Sequence, residues 1–212
     1  MFKEMRVRFC KQGAGVFFSH LDLTRAVQRA MRRGGVPFWS TGGFSPRPYC
    51  VFAQPLSLGY ESRGELFDFR LIDETAPFDP ARMKEAFPVA LEVQEIYEPR
   101  DPFKAIAYAA YTVTLRTEAA AANVENALRA PMPILKKTKR SETEADLRDY
   151  LRAFTVSDIP GGVLLTVELA AGNERNLSPS YLKEGLERAG IPAETKGIRR
   201  DRFLKADGTP LR

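Results

Sequence analysis

The sequence has few of the residues on which metal sites and disulfide frameworks depend. Its 212 residues include two cysteines, Cys10 and Cys50, and a single histidine, His20. Two cysteines are too few for a disulfide framework, and we expect both to be free thiols in a reducing cytoplasm. One histidine and two cysteines are also a poor ligand set for a transition metal. We therefore expect a cytoplasmic protein that holds no metal and no cofactor.

The chain also lacks a long apolar run. No stretch approaches the roughly 18 consecutive apolar residues that a membrane-spanning helix needs, so we expect no membrane association. The N-terminal segment has no apolar region of the kind that signal peptides carry. The composition, 44% hydrophobic and 28% charged, is instead typical of a globular protein with its own core.

Positive charge is concentrated in the first quarter of the chain. The whole sequence has a net charge of +5, whereas residues 1–50 contain nine basic and two acidic side chains, a local net charge of +7. A field of this kind attracts an anionic partner. We predict that this partner is RNA.

The hydrophobic periodicity predicts an α+β protein made of two similar halves. Residues 1–98 follow the order β-α-β-β-α-β, residues 99–105 are predicted to be a linker, and residues 106–212 repeat that order. This pattern predicts two ferredoxin-like halves with mainly antiparallel sheets. A helix predicted at 142–154 in the second half departs from a strict repeat.

The first predicted helix carries a row of arginines. Ser19 and Asp22 fit a capping box at its start, and Gly34 with Gly35 ends it. At about 100° per residue, four arginines fall on one face and the apolar side chains on the opposite arc. The four are Arg25, Arg29, Arg32 and Arg33. Arginine binds phosphate oxygens in bidentate fashion, so this face is the main candidate for RNA binding; an ordinary solvated helix face is the alternative.

A loop rich in glycine and aromatic residues follows this helix. Two glycines at positions 42–43 permit close approach of a ligand to main-chain N–H groups. Phe44 and Arg47 are the expected contacts to unpaired bases and phosphates. Trp39 and Tyr49 are further candidates for base stacking, or they pack against the core.

A second basic segment lies in the other half of the chain. It contains three lysines that complete the predicted nucleic-acid-binding set: Lys136, Lys137 and Lys139. On its own the segment is weak evidence. It extends the RNA-binding surface only if the fold brings it to the side of the first helix.

His20 is the one candidate for acid–base chemistry. Ser19 is its neighbour in sequence, but adjacent positions on a helix do not face each other, so a Ser-His-Asp triad is not predicted. A local packing or hydrogen-bonding role for His20 competes with general acid–base catalysis of RNA cleavage. No other motif equips the chain for catalysis alone, so we do not expect an enzyme.

Three segments resemble a known bacterial family. They are SHLDL at 19–23 with the arginines that follow it, GFSPRP at 43–48 and PLSLGYES at 55–62. These segments are similar to the signature of a radical-SAM-associated domain of unknown function, which occurs fused to, or encoded beside, a radical SAM protein. The resemblance is clear over residues 5–75 and looser at 136–146 and 176–182.

The resemblance implies an accessory role beside a radical SAM enzyme, with RNA modification as the process. It supplies no catalytic residues. Radical SAM enzymes hold an iron–sulfur cluster with a cysteine triplet, which this sequence lacks, so the chain is not the radical-generating partner.

Three hypotheses therefore stand at this point. The first is an RNA-binding accessory module that presents its substrate to a separate radical SAM enzyme. The second is a metal-independent endoribonuclease that uses His20. The third is a protein-interaction domain whose arginine row docks on an acidic surface of the radical SAM subunit.

Overall fold

The computed structural model describes residues 2–42, 44, 46–137 and 142–212. It shows a mixed α+β protein that divides into two compact units. Unit 1 comprises residues 1–103 with Arg212, and unit 2 comprises residues 104–211. Among the described residues, no helix is long and apolar enough to cross a membrane.

Unit 1 is built on an antiparallel sheet. Its strands and α-helices are, in chain order, β1 (Lys3–Lys11), α1 (His20–Arg33), β2 (Cys50–Phe52), β3 (Glu61–Leu71), α2 (Pro80–Glu85) and β4 (Val93–Tyr97). The strand order is β4-β1-β3-β2, and every neighbouring pair is antiparallel. Short 3-10 turns of this unit occupy Gly13–Phe17 and Val89–Leu91.

Helix α1 lies on one side of this sheet and buries its apolar face there. Val27 and Met31 belong to the same fully buried cluster as Val7 of β1 and Phe67 and Phe69 of β3. Burial of an aliphatic side chain contributes roughly 1.5–3 kcal/mol. The apolar contacts therefore fix which face of α1 points away from the sheet.

Both ends of α1 are set by local signals. The Asp22 amide donates to the Ser19 hydroxyl over 3.2 Å, and the Ser19 amide donates to the Asp22 carboxylate over 3.2 Å. Gly34 is the C-cap, and Gly35 has a φ of +64°, which favours glycine. The predicted capping box and helix end are thus confirmed.

Unit 2 also contains antiparallel strands and two α-helices. Its strands and α-helices are β5 (Tyr108–Arg116), α3 (Ala121–Arg129), β6 (Pro133–Lys137), β7 (Glu142–Asp146), β8 (Leu151–Ile159), β9 (Gly162–Ala170), α4 (Tyr181–Arg188) and β10 (Glu194–Leu204). The strand order is β10-β5-β9-β8, and β6 pairs with β7 in a separate two-stranded sheet.

The prediction of a helix at 142–154 was wrong. That segment forms β7, a 3-10 turn at Leu147–Tyr150 and the start of β8. β7 pairs with β6, where Lys137 faces Glu142 and forms an ion pair of 3.1 Å, and β8 pairs with β9. Partner strands supply hydrogen bonds that outweigh the helix propensity of a charged segment.

Candidate nucleic-acid interface

Three of the four predicted helix arginines line one shallow depression on unit 1. The depression has a volume of about 220 Å³ and is lined by Arg25, Gln28, Arg29, Arg32 and Arg47. The four arginines of this lining are exposed. The structure therefore brings the loop residue Arg47 to the helix row, and we call Arg25, Arg29, Arg32 and Arg47 the arginine cluster.

The arginine cluster has no counter-charge of its own in the described part of the chain. No carboxylate oxygen there lies within 4.0 Å of these four guanidinium groups. Elsewhere in unit 1, Arg6, Arg8 and Arg70 each pair with a carboxylate. The donors of the cluster are therefore available to an external anion, and guanidinium groups suit phosphate.

Asp22 is the acidic residue closest in sequence to the cluster, and the capping box engages it. Its carboxylate accepts hydrogen bonds from the Ser19 hydroxyl, at 2.6 Å, and from the Ser19 amide. These bonds, with a smaller contribution from the charge of Arg25, lower the pKa of Asp22. Asp22 thus stabilises the start of α1 without forming an ion pair with the cluster.

Hydrogen bonds hold the loop that carries Arg47 against α1. The Gln28 side-chain amide donates to the Pro48 carbonyl over 3.3 Å. The Thr41 amide donates to the Arg47 carbonyl over 2.9 Å, and the Arg47 amide donates to the Thr41 hydroxyl over 3.3 Å. The two ends of the loop are therefore closed on each other, with Arg47 at its base.

Arg33 has a different environment from the other helix arginines. Its Nη2 donates to the Ala86 carbonyl over 2.6 Å. Ala86 is the C-cap of α2, where carbonyl groups lack helical partners and attract cations. Arg33 is exposed, but part of its hydrogen-bonding capacity is used to hold α2.

The aromatic residues of the loop divide into two groups. Phe44 is fully exposed. Gly43 lies outside the described residues. Trp39 and Tyr49 are half-buried and meet edge to face, with ring centroids 5.6 Å apart. Arg70 lies over the Tyr49 ring at 4.5 Å. Phe44 is therefore free to stack on a base, while Trp39 and Tyr49 contact each other.

The predicted lysines belong to unit 2, and local groups engage two of them. Lys136 donates to the Asn176 carbonyl over 2.8 Å and lies 4.7 Å from the Tyr150 ring centroid. Lys137 pairs with Glu142, and this bond raises its pKa. Lys139 lies outside the described residues.

His20 is exposed at the first position of α1. Its ring meets the edge of Phe52, with centroids 5.3 Å apart. Its backbone carbonyl accepts a hydrogen bond from the Thr24 hydroxyl at 2.8 Å. Over the described ranges, no group of three or more His, Cys, Asp or Glu side chains is arranged to hold a metal ion.

Sequence reasoning missed Gln28 as part of this surface. Its angular position on α1 places it beside Arg25 and Arg32, which was visible in the sequence. Its partner, the Pro48 carbonyl, was not visible, because the contact joins two segments 20 residues apart.

The fold is similar to that of chains in three solved structures. These are described as a Cbf5-Nop10-Gar1 complex, an archaeal box H/ACA sRNP Nop10-Cbf5 complex and an H/ACA RNP bound to a substrate RNA containing 2'-deoxyuridine. The TM-scores are 0.57, 0.52 and 0.55, with sequence identities of 10%, 10% and 11%. The matches cover 96%, 94% and 94% of this chain but 50%, 47% and 47% of the others, about half their length.

A comparison with curated proteins finds no match. Residues 4–179 match the profile of the DUF2344 family, described as an uncharacterized protein conserved in bacteria. The matched range includes α1, the loop with Arg47 and most of unit 2. The bacterial family of unknown function predicted from the sequence segments is thus confirmed, and the chain belongs to the DUF2344 family.

Proposed function

We propose that the chain is an RNA-binding accessory module that presents RNA to a separate radical SAM enzyme acting in RNA modification. The observation that carries the RNA-binding part is the arginine cluster. Four exposed guanidinium groups surround one depression, and no carboxylate of the described residues lies within 4.0 Å of them.

The electrostatics of the cluster favour a ligand with several phosphates. Like charges at i,i+3 and i,i+4 on a helix repel by a few tenths of a kcal/mol per pair, and Arg25, Arg29 and Arg32 have these spacings. A phosphate between the guanidinium groups replaces that repulsion with charge-assisted hydrogen bonds. Because a backbone of phosphates also releases counterions on binding, the interaction is expected to depend strongly on salt.

Two further observations favour RNA among polyanions. Phe44, three residues before Arg47, is fully exposed and offers a surface for an unpaired base. Solved structures of similar fold include one that is described as bound to a substrate RNA. The bound RNA belongs to that solved structure, so it supports RNA binding by this chain only through the similarity of fold.

The radical SAM partner is proposed from the resemblance of the signature segments. Two of them, at 19–23 with the following arginines and at 43–48, are the segments that supply the arginine cluster. An accessory chain that binds the substrate leaves radical generation to its partner, which fits a sequence without the cysteine triplet.

We also infer that each unit is a ferredoxin-like half. The orders β4-β1-β3-β2 and β10-β5-β9-β8 are equivalent, and the β6–β7 pair is then an insertion in the second half. The equivalent strand orders and the antiparallel pairing support this interpretation.

The test of RNA binding is a salt titration. Fluorescence anisotropy of the full chain with a labelled single-stranded RNA 20-mer, and competition by total tRNA, are measured at increasing KCl. For single strands, the slope of log K against log salt is about −0.7 per phosphate contact. The variant Arg29→Gln/Arg32→Gln is expected to reduce that slope by about 1.4.

The matched control is Arg129→Gln/Arg188→Gln, which removes the same charge from unit 2. Each of these arginines pairs with a glutamate one turn earlier on its own helix. The control should bind RNA as the wild type does. No binding at low salt, a flat salt response or an equal loss in the control would contradict RNA binding by the cluster.

The partner and the alternatives are tested by co-purification and cleavage assays. A radical SAM protein should co-purify with the natively expressed chain, and Arg29→Glu/Arg32→Glu should abolish RNA binding while the protein complex persists. Loss of the complex with RNA binding intact would favour the protein-interaction hypothesis. Cleavage of labelled RNA that disappears in His20→Ala would favour the endoribonuclease.

A further inference from the structure

Unit 2 contains two exposed cations that differ from most of its basic side chains. Eight of the basic residues form ion pairs: Arg116, Arg129, Lys137, Arg152, Lys183, Arg188, Lys196 and Arg199. Lys104 and Arg175 are exposed, and neither has a carboxylate oxygen within 4.0 Å in the described part of the chain.

Lys104 and Arg175 line the same cleft, although 71 positions separate them in sequence. The cleft has a volume of about 500 Å³ and lies between the start of β5 and the turn that follows β9. The Ala171 amide donates to the Ala107 carbonyl over 2.9 Å, which joins the two walls. This volume is within the usual range of small-molecule sites, roughly 300–1,000 Å³.

The inner wall of the cleft is apolar, and its rim is polar. Ile106 and Ala170 are buried, and Tyr108 is half-buried. At the rim, the side chain of Asn173 makes no hydrogen bond within the described residues. An apolar wall with a few polar groups beside it is a common arrangement in small-molecule sites.

An aromatic ring positions Arg175 without neutralising it. The guanidinium carbon of Arg175 lies 5.2 Å from the centroid of Tyr150, and Lys136 lies 4.7 Å from the same ring. Cation–π contacts of this kind hold the side chain in place while it keeps its charge. The lining of the cleft therefore includes two cations, Lys104 and Arg175, and one carboxylate, that of Glu174.

We propose that this cleft binds a nucleotide, with its phosphate between Lys104 and Arg175 and its base against Ile106 and Tyr108. Two cations match the charge of about −1.5 to −2 on a terminal phosphate. The free amide of Asn173 supplies donors and an acceptor for the edge of a base. Both a free nucleotide and a 5'-phosphorylated end of an RNA offer this chemistry.

Glu174 provides an internal check on the charge argument. Its carboxylate also lines the cleft and opposes an anionic ligand. Removal of this charge should therefore strengthen binding, while removal of Arg175 should weaken it. A nonspecific loss of structure does not produce these opposite effects.

The test uses the full chain and isothermal titration with AMP, UMP, adenosine and uridine. A 5'-phosphorylated RNA hexamer and the same hexamer with a 5'-hydroxyl form the second arm. We expect the phosphorylated probe of at least one arm to bind at least about tenfold more tightly than its phosphate-free counterpart. Binding of AMP or UMP identifies a free nucleotide as ligand. A preference for the 5'-phosphorylated hexamer over the 5'-hydroxyl hexamer, without binding of AMP or UMP, identifies an RNA end.

The variants assign the binding to this cleft. Arg175→Gln should weaken it about tenfold, the loss of one charge-assisted hydrogen bond, and Glu174→Gln should tighten it about two- to fivefold. Arg188→Gln, a paired arginine of the same unit, should leave it unchanged. No binding of any phosphorylated probe, equal binding of phosphate-free probes or an unaltered Arg175→Gln variant would overturn the proposal.

Discussion

Gln28 on α1 donates its side-chain amide to the Pro48 carbonyl, 3.3 Å away, and so joins the helix to the loop that carries Arg47. Both Gln28 and Arg47 line the depression of the arginine cluster. The cluster therefore depends on a tether between two segments, and not only on the arginines of the helix.

The tether predicts that Gln28→Met weakens RNA binding without unfolding the chain. The substitution keeps a similar stem and removes the amide donor, which is worth roughly 0.5–1.5 kcal/mol. We expect a loss of RNA affinity of about two- to tenfold and a decrease in unfolding free energy of about 0.5–1.5 kcal/mol, too small to unfold the chain. Anisotropy and urea titration measure the two effects.

A double-mutant cycle separates the tether from other contributions of Gln28. If the tether acts by placing Arg47, then Gln28→Met should add little to the effect of Arg47→Gln on RNA affinity, because each change removes the contact between Arg47 and the RNA. Fully additive losses would show that Gln28 acts independently of Arg47.

A second relationship concerns stability on the sheet of unit 1. Arg6 of β1 donates to Asp68 of β3 from Nε at 2.7 Å and from Nη2 at 2.8 Å, and it lies over the Phe103 ring at 4.2 Å. The Arg6 side chain is fully buried. Burial raises the pKa of the Asp68 carboxyl, although the hydrogen bonds from Arg6 act in the opposite direction.

This geometry predicts that Asp68→Asn destabilises the chain by about 3 kcal/mol in urea unfolding, since a buried guanidinium then lacks its counter-charge. The double variant Arg6→Met/Asp68→Leu should recover much of that loss, because no buried charge remains. The control is Arg70→Gln, which breaks a more exposed pair with Glu4 and should cost less than about 1 kcal/mol. Equal costs for Asp68→Asn and Arg70→Gln would contradict the argument.

The capping box at α1 predicts a pH dependence of stability. Hydrogen bonds from Ser19 lower the pKa of Asp22 in the folded chain, whereas an unfolded aspartate titrates near pH 3.9. The stabilisation from Asp22 is therefore fully present above about pH 4 and is lost as the pH falls through the lowered folded pKa.

Urea unfolding of the wild type and of Asp22→Asn between pH 2 and pH 6 checks this prediction. The variant should be less stable at pH 6, and the two curves should converge at the acidic end. Ser19→Ala removes the hydroxyl that donates to Asp22, so in that background the effect of Asp22→Asn on stability should shrink. A difference that does not vary with pH would exclude the carboxylate as its cause.

Local signals explain which parts of the fold were predictable. Helix α1 follows from its periodicity and its capping box, and α2 follows from Asp79, whose side chain accepts from two backbone amides, with Pro80 after it. The strands at 142–159 did not follow, because their pairing partners lie elsewhere in the chain. For segments of this kind, local propensity is a weak guide.

In the candidate site too, local features were predictable and contacts between distant segments were not. Periodicity placed Arg25, Arg29 and Arg32 on one face of α1, and it placed Arg33 there as well. Arg33 instead donates to the Ala86 carbonyl, a contact that depends on where α2 packs. The return of Arg47 to the helix depends on the path of a loop. Such contacts between distant segments carry no local sequence signal.

Two glycines in strands of unit 2 give a last prediction, on packing. A Cβ at Gly162 of β9 would overlap the Leu115 carbonyl oxygen and approach the Arg116 Cα to 2.9 Å, and both are backbone atoms of β5. At Gly197 of β10, a Cβ would meet no heavy atom within 4 Å. Neither glycine has a positive φ, so the two positions differ mainly in the space beside them.

Gly162→Ala should therefore destabilise the chain by about 1–3 kcal/mol, because β5 and β9 must separate at that point to admit a methyl group. Gly197→Ala should be neutral or stabilising by up to about 1 kcal/mol, since alanine restricts the unfolded chain and has room in the folded one. Urea unfolding of both variants measures the difference. If Gly162→Ala were as stable as Gly197→Ala, the backbone of β9 could not lie as close to Leu115 as its pairing with β5 requires.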